Sequence, residues 1–230
     1  MSPQSLKLLS SMATREILAE LAAQYTRDTA QPLVTAAAGG VDVAKRVQAG
    51  EAVDIVVLAD NAIDKLIAAG ALLPGRIDLV KSGVAIAVHA DAVRCDISSE
   101  QAVKQAVLAA KTLSYSTGPS GVYLEKLFER WGILNDIRSK IVVPPPGVPV
   151  GSLVAKGESE LGFQQLSELM NLSGITVLGP LPPDIQTITT FSGGIAATCQ
   201  DKAAAQRVLQ FLAAPSTADT KQRFGMEAAS

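Results

Sequence analysis

Residues 6 to 69 alternate short apolar runs with amphipathic stretches three times over, and this alternation limits the possible folds more than any other feature. Leu6-Lys7-Leu8-Leu9-Ser10 reads as a short buried strand. From Thr14 to Tyr25 the apolar residues Ile17, Leu18, Leu21, Ala22 and Tyr25 recur at helical spacing. Residues 32–36 form a second predicted strand, and Gly39-Gly40 lead into a helix from Val41 to Gln48. Residues 54–59 are a near-continuous apolar run, as expected of a parallel strand covered on both faces. Asp60 or Asn61 can cap a third helix, residues 62–69, which Gly70 ends. A β-α-β-α-β-α order predicts a parallel sheet flanked by helices.

The alternation restarts after a strand at 83–89. Helices are expected at 99–110, 122–131 and 150–156, and strands at 112–116, 140–143 and 160–165. Residues 175–178 and 187–199 are the last strand-like segments, followed by helices at 202–213 and 216–224. Two βα series predict an α/β fold of two lobes, each a mixed, mostly parallel sheet flanked by helices. Lobe 1 is expected at 1–84 plus 198–230 and lobe 2 at 85–197, with 84–89 and 188–198 as crossing hinge strands.

Composition narrows the partners. Charged residues are 18% of the chain, and the formal net charge of -2 offers none of the basic stripe that nucleic acid favours. No apolar run approaches the roughly 18 residues of a membrane span. A single histidine and two distant cysteines argue against a zinc site, so no metal or cofactor is expected. Asp54, Asp60 and Asp64 read as a strand start and helix caps. Cys95 and Cys199 read as two isolated small apolar residues, with a disulfide as the alternative. The first five residues lack the apolar segment of a secretory leader, which leaves open both a cytosolic protein and a mature exported one.

The loops after strands carry the chemistry. Ser10-Ser11-Met12 precedes the first helix and Gly39-Gly40 the second; Ser116-Thr117-Gly118-Pro119-Ser120-Gly121 and Pro146-Gly147-Val148 precede two later ones. In a parallel sheet such loops lie at the carboxyl ends of strands, where open α/β folds bind ligands. Helix starts there offer free N–H donors and a positive dipole end, and glycine lets an anion approach the backbone. Two loops from each lobe, converging on a cleft, would cage a small anion with few formal charges. Arg15, inside the first helix, could add a fork for a carboxylate; a solvated helix position is the plainer reading.

These segments resemble the periplasmic molybdate-binding proteins of ABC transporters, of the type 2 periplasmic binding protein fold. Leu9-Ser10-Ser11-Met12, residues 44–50 ahead of 54–60, Pro119-Ser120-Gly121-Val122-Tyr123, Leu161-Gly162-Phe163 and Arg223-Phe224-Gly225 carry the likeness. It implies an interlobe site, capture of a carboxylate or oxyanion, a periplasmic location and an ABC permease as partner. Of the family's oxyanion contacts, the first serine falls at Ser11, the second at Gly40, the third at Ser120 and the fourth at Gly147 or Val148. The tyrosine that closes the site falls at Gln165. Losing hydroxyls enlarges the cage, and Gln164 or Gln165 can both donate and accept, so a larger organic anion such as a di- or tricarboxylate is expected. A branch of the family includes trans-aconitate isomerase. An enzymatic reading therefore stands beside the binding one, with Ser11 and His89 as the candidate catalytic residues.

Overall fold

The computed structural model describes residues 5–145 and 147–229. Pro146, part of one predicted anion loop, lies outside the described residues. The chain divides into two compact units, residues 1–82 with 190–230 and residues 83–189.

Unit 1 opens with strand β1 (Leu6–Ser11), helix α1 (Arg15–Thr29), β2 (Leu33–Ala38), α2 (Gly40–Gln48), β3 (Ile55–Ala59) and α3 (Asp60–Ala68). Strand β4 (Ile77–His89) then leads out of it. Strands β1, β2 and β3 are parallel, in register from Leu6↔Leu33 to Ser11↔Ala38 and from Leu8↔Ile55 to Ser10↔Val57. The apolar run of β3 is explained by two-sided cover. Ile55 and Val57 enter a core with Leu8, α1 and the C-terminal helices, while Val56 and Leu58 join Leu9 in a second core under α2 and α3.

Unit 2 contains α4 (Glu100–Ala109), β5 (Leu113–Tyr115), α5 (Pro119–Arg130), α6 (Leu134–Ile137), α7 (Val150–Ala155), β6 (Leu161–Gln165), α8 (Leu166–Leu169) and β7 (Ile175–Pro180). Strand β4 lies between β6 and β7 and runs antiparallel to both; β5 pairs parallel with β6. Phe128 of α5 anchors the core, edge-on to Phe163 of β6 with ring centroids 6.2 Å apart. The strand expected at 140–143 is reduced to one bridge, Leu113↔Ile141. Three prolines follow at once in the sequence, and none carries an N–H to extend a ladder.

Strand β8 (Ile188–Ile195) returns the chain to unit 1, followed by α9 (Lys202–Ala213), α10 (Ala218–Arg223) and β9 (Glu227–Ala228). The return falls between Thr189 and Thr190 rather than after residue 197, because β8 zips antiparallel onto β3 from Ala59↔Phe191 to Ile55↔Ile195. The exit falls at Ser82/Gly83, two residues before the expected 84/85. Helix α9 keeps its predicted bounds. Its N-cap Asp201 accepts the Ala204 N–H at 2.8 Å. Asp201→Ala should therefore lower the unfolding free energy by about 1 kcal/mol in urea titrations, with no change in ligand affinity.

Candidate functional site

In unit 1 the parallel strands end together, so β1 delivers Ser11 beside the start of α2. A Cβ added at Gly40 would stand 3.8 Å from the Ser11 Cβ and 3.7 Å from a Leu58 methyl. Position 40 therefore faces Ser11, and glycine there keeps the space beside the hydroxyl clear. Gly39 is the N-cap, and its carbonyl accepts the Val43 N–H. The N–H groups of Gly40, Val41 and Asp42 thus form the free end of a nine-residue helix.

Ser11 is held firmly by everything except its own hydroxyl. Its carbonyl accepts from the Ser10 and Thr14 hydroxyls, each at 3.2 Å. Its Oγ is buried and has no hydrogen-bond partner among the described residues. Ser10 therefore braces the turn, and its hydroxyl is spent on that bond. Thr14 was not foreseen as part of the site, although a threonine three residues after a serine at a helix start is a local bonding pattern. Met12 opens the short turn between β1 and α1. Arg15 lies on the exposed side of α1, 3.4 Å from Glu16.

In unit 2 the Ser116–Gly121 segment folds back onto the start of α5. The helix begins at Pro119 rather than Val122, because proline at the first helical position needs no N–H partner. The Ser116 and Ser120 hydroxyls bond each other at 2.8 Å, and Ser116 Oγ accepts the Gly118 N–H at 3.3 Å. A pair of hydroxyls sharing one bond keeps one hydrogen to donate elsewhere. Thr117 is exposed at the tip. A cavity of about 390 Å³ opens beside the segment, with Ser116, Thr117, Gly121, Tyr115, Glu125 and Arg138 in its wall. Burial, and then Glu125 at 3.5 Å from its hydroxyl, push the Tyr115 phenol up to about 12.

Other predicted residues have different duties. Gln164 accepts the Gly151 N–H at 3.2 Å and donates to Glu168 at 2.7 Å, so both ends of its amide tie α7 and α8 to β6. Gln165, buried, donates to the Thr189 hydroxyl at 2.9 Å. Gly147 takes a left-handed φ of 78°, and the Val148 N–H is bonded to the Pro145 carbonyl. The helix that follows has only six residues. Cys95 and Cys199 are free thiols.

His89 lies at the far end of β4 from Val84. Gln165, the carboxyl end of β6, lies opposite Val84, and Gly162 lies opposite Ala87. His89 is two residues further, beside Ile175 at the end of β7. It lies five residue steps along the strand from Val84, roughly 17 Å. It therefore stands at the end of the unit-2 sheet away from Gln165 and the Ser116 turn. Its Nδ1 accepts the Asp91 N–H at 3.2 Å. A lone strand-terminal histidine carries no signal of which sheet end it occupies; that depends on pairing register.

Comparison with known proteins is consistent with this architecture. An aconitate isomerase from a Pseudomonas species is 36% identical over 230 residues, 97% of this chain and 87% of that relative. The periplasmic molybdate-binding protein of Azotobacter vinelandii superposes with a TM-score of 0.81 at 19% identity, covering 98% of this chain and 100% of that one. A sulfate-binding protein from Mycobacterium tuberculosis gives 0.79 at 12% identity, with 99% and 88% covered. The two structural likenesses establish the periplasmic binding protein fold. Among the described residues no helix is long and apolar enough to cross a membrane. The sequence profile of the bacterial extracellular solute-binding proteins matches residues 6–227, and the chain belongs to that family.

Proposed function

We propose that the protein captures a small organic polycarboxylate in the periplasm and presents it to an ABC-type permease. A carboxylate of the anion rests on the Ser11 hydroxyl and the first N–H groups of α2. The observation that carries this reading is the Ser11 hydroxyl. A buried hydroxyl without a partner costs about 1–3 kcal/mol, which an anion accepting from it would recover. Gly40 favours a larger guest than a compact oxyanion, since no side chain intrudes beside that hydroxyl. The name of the 36% identical relative points to the same class of acid.

Thermal-shift titration tests the reading. trans-Aconitate, citrate and tricarballylate should raise Tm, and molybdate, tungstate and sulfate should not; the reverse pattern would overturn it. Ser11→Ala should weaken carboxylate binding about 10- to 100-fold by calorimetry, the worth of one hydrogen bond to a charged group. Its unfolding free energy should hold or rise, because the hydroxyl has no protein partner to lose.

A second reading is favoured by the relative alone: the bound acid is isomerised by moving one proton between two of its carbons. Ser11 and His89 are its candidate residues from the sequence. Incubating trans-aconitate with the protein in deuterated buffer decides the matter by proton NMR. A new isomer or deuterium uptake supports catalysis; an unchanged spectrum leaves capture alone.

A further inference from the structure

Ser11 is not the only buried polar group without a partner among the described residues. The Lys221 amine is the other. Lys221 belongs to α10 and is 1% exposed. Its side chain lines a cavity of about 10 Å³, room for a single water. That wall is built from Ile17 and Leu21 of α1, Val57 of β3, Leu79 of β4 and Leu212 of α9; its one other polar member is Thr14. Thr14 is the residue whose hydroxyl holds the Ser11 carbonyl. The amine therefore lies behind the turn that presents Ser11.

Among the described residues no second ionisable group shares this cavity. Arg15, Glu16 and Glu20 on α1, Asp78 and Lys81 on β4, Arg207 on α9, and Asp219 and Arg223 on α10 all lie outside its wall. Asp78 is engaged with Arg76, and Arg223 donates to the Thr220 hydroxyl. Packing would be served better by a methionine or leucine at 221, because an unpaired buried amine is a standing cost. What such a group lacks is a counter-charge, and an anion on the far side of the Ser11 turn would supply one.

We propose that Lys221 is the buried counter-charge of the anion held at Ser11, a positioning residue that acts across the Thr14 turn without touching the ligand. This rests on the polycarboxylate reading above. It makes anion capture and proton uptake one linked process. Burial lowers the amine's pKa below its usual 10.5, so the amine gives up its proton at a lower pH than a solvated lysine, and a bound anion draws the proton back. Unit charges held apart by one layer of side chains, in a surrounding of effective dielectric about 20, couple by about one pK unit, or tenfold in affinity.

Calorimetry with trans-aconitate, in buffers of different ionisation enthalpy from pH 7 to 10, tests this. The ligand's own carboxyls titrate far below that range. The unaltered protein should take up a fraction of a proton on binding, and its affinity should fall about tenfold as pH rises. Lys221→Met should bind about tenfold more weakly at pH 7, with no proton uptake and a flat profile. Lys221→Arg should keep the affinity and lose the pH dependence, since a guanidinium stays charged throughout. A Met variant matching the unaltered protein in affinity and proton uptake would overturn the inference alone. Failure of the unaltered protein to bind any of the three carboxylates would remove the polycarboxylate reading, and this inference with it.

Discussion

Gly121→Ala should lose about 3 kcal/mol or more of unfolding free energy, and carboxylate binding with it. On helix propensity alone the sign would be opposite, because alanine is worth about 1 kcal/mol over glycine inside a helix. Gly121 is the third residue of α5, so an L side chain suits its backbone. The obstacle is space. An alanine Cβ there would stand 1.6 Å from the Ser116 carbonyl oxygen and 2.8 Å from its carbon. Both are backbone atoms, so relief means lifting the Ser116 turn off the helix and separating the two hydroxyls. Glycines 162 and 193 are also crowded, but their added Cβ would meet the methyl ends of Val154 at 2.5 Å and Leu209 at 2.3 Å, which can swing aside. Gly118→Ala is the control, with Ser116 Oγ the nearest atom at 3.7 Å. Urea unfolding followed by the fluorescence of Trp131, which packs on Phe128 in the same unit, separates the variants. A Gly121→Ala protein as stable as the Gly118→Ala one would mean the turn is not held against α5.

Elements whose burial repeats with a regular period were legible. The predicted apolar positions of α1 are its buried ones, and β3 is buried throughout, because both patterns arise from local geometry. Ser11 was legible as a hydroxyl after the first strand, but its lack of a partner was not; that depends on Ser10 and Thr14 both turning to its carbonyl. The packing around Gln164 and the position of His89 were not legible for a related reason. A glutamine reads as a free donor and acceptor until Gly151 and Glu168 are brought to it by packing distant in sequence. Which sheet end His89 occupies follows from the pairing of β4 with β6 and β7, a non-local fact. Lys221 gave no signal, since a lysine in a short amphipathic helix is ordinarily solvated, and only the docking of α10 onto α1 and β4 encloses it.

Lys221→Met should raise stability, by about 2 kcal/mol at pH 7, as expected when an unpaired buried charge is exchanged for an apolar side chain of similar volume. The pH dependence identifies the cause. Burial lowers the folded-state pKa of the amine below the usual 10.5. Below that folded value both states carry the proton, and the cost of burying the charge is present in full. Between the folded value and 10.5 the unfolded chain binds more protons than the native one, so the unaltered protein gains stability as pH rises. The advantage of the methionine variant should therefore be largest near neutrality and shrink steadily towards pH 10. Paired urea titrations at pH 7, 8, 9 and 10 measure it. A constant advantage would assign the gain to packing, and a loss of stability would mean the amine has a partner in solution. With the weaker binding expected of the same variant, a stability gain that narrows with pH would make position 221 a place where affinity is held at the expense of the fold.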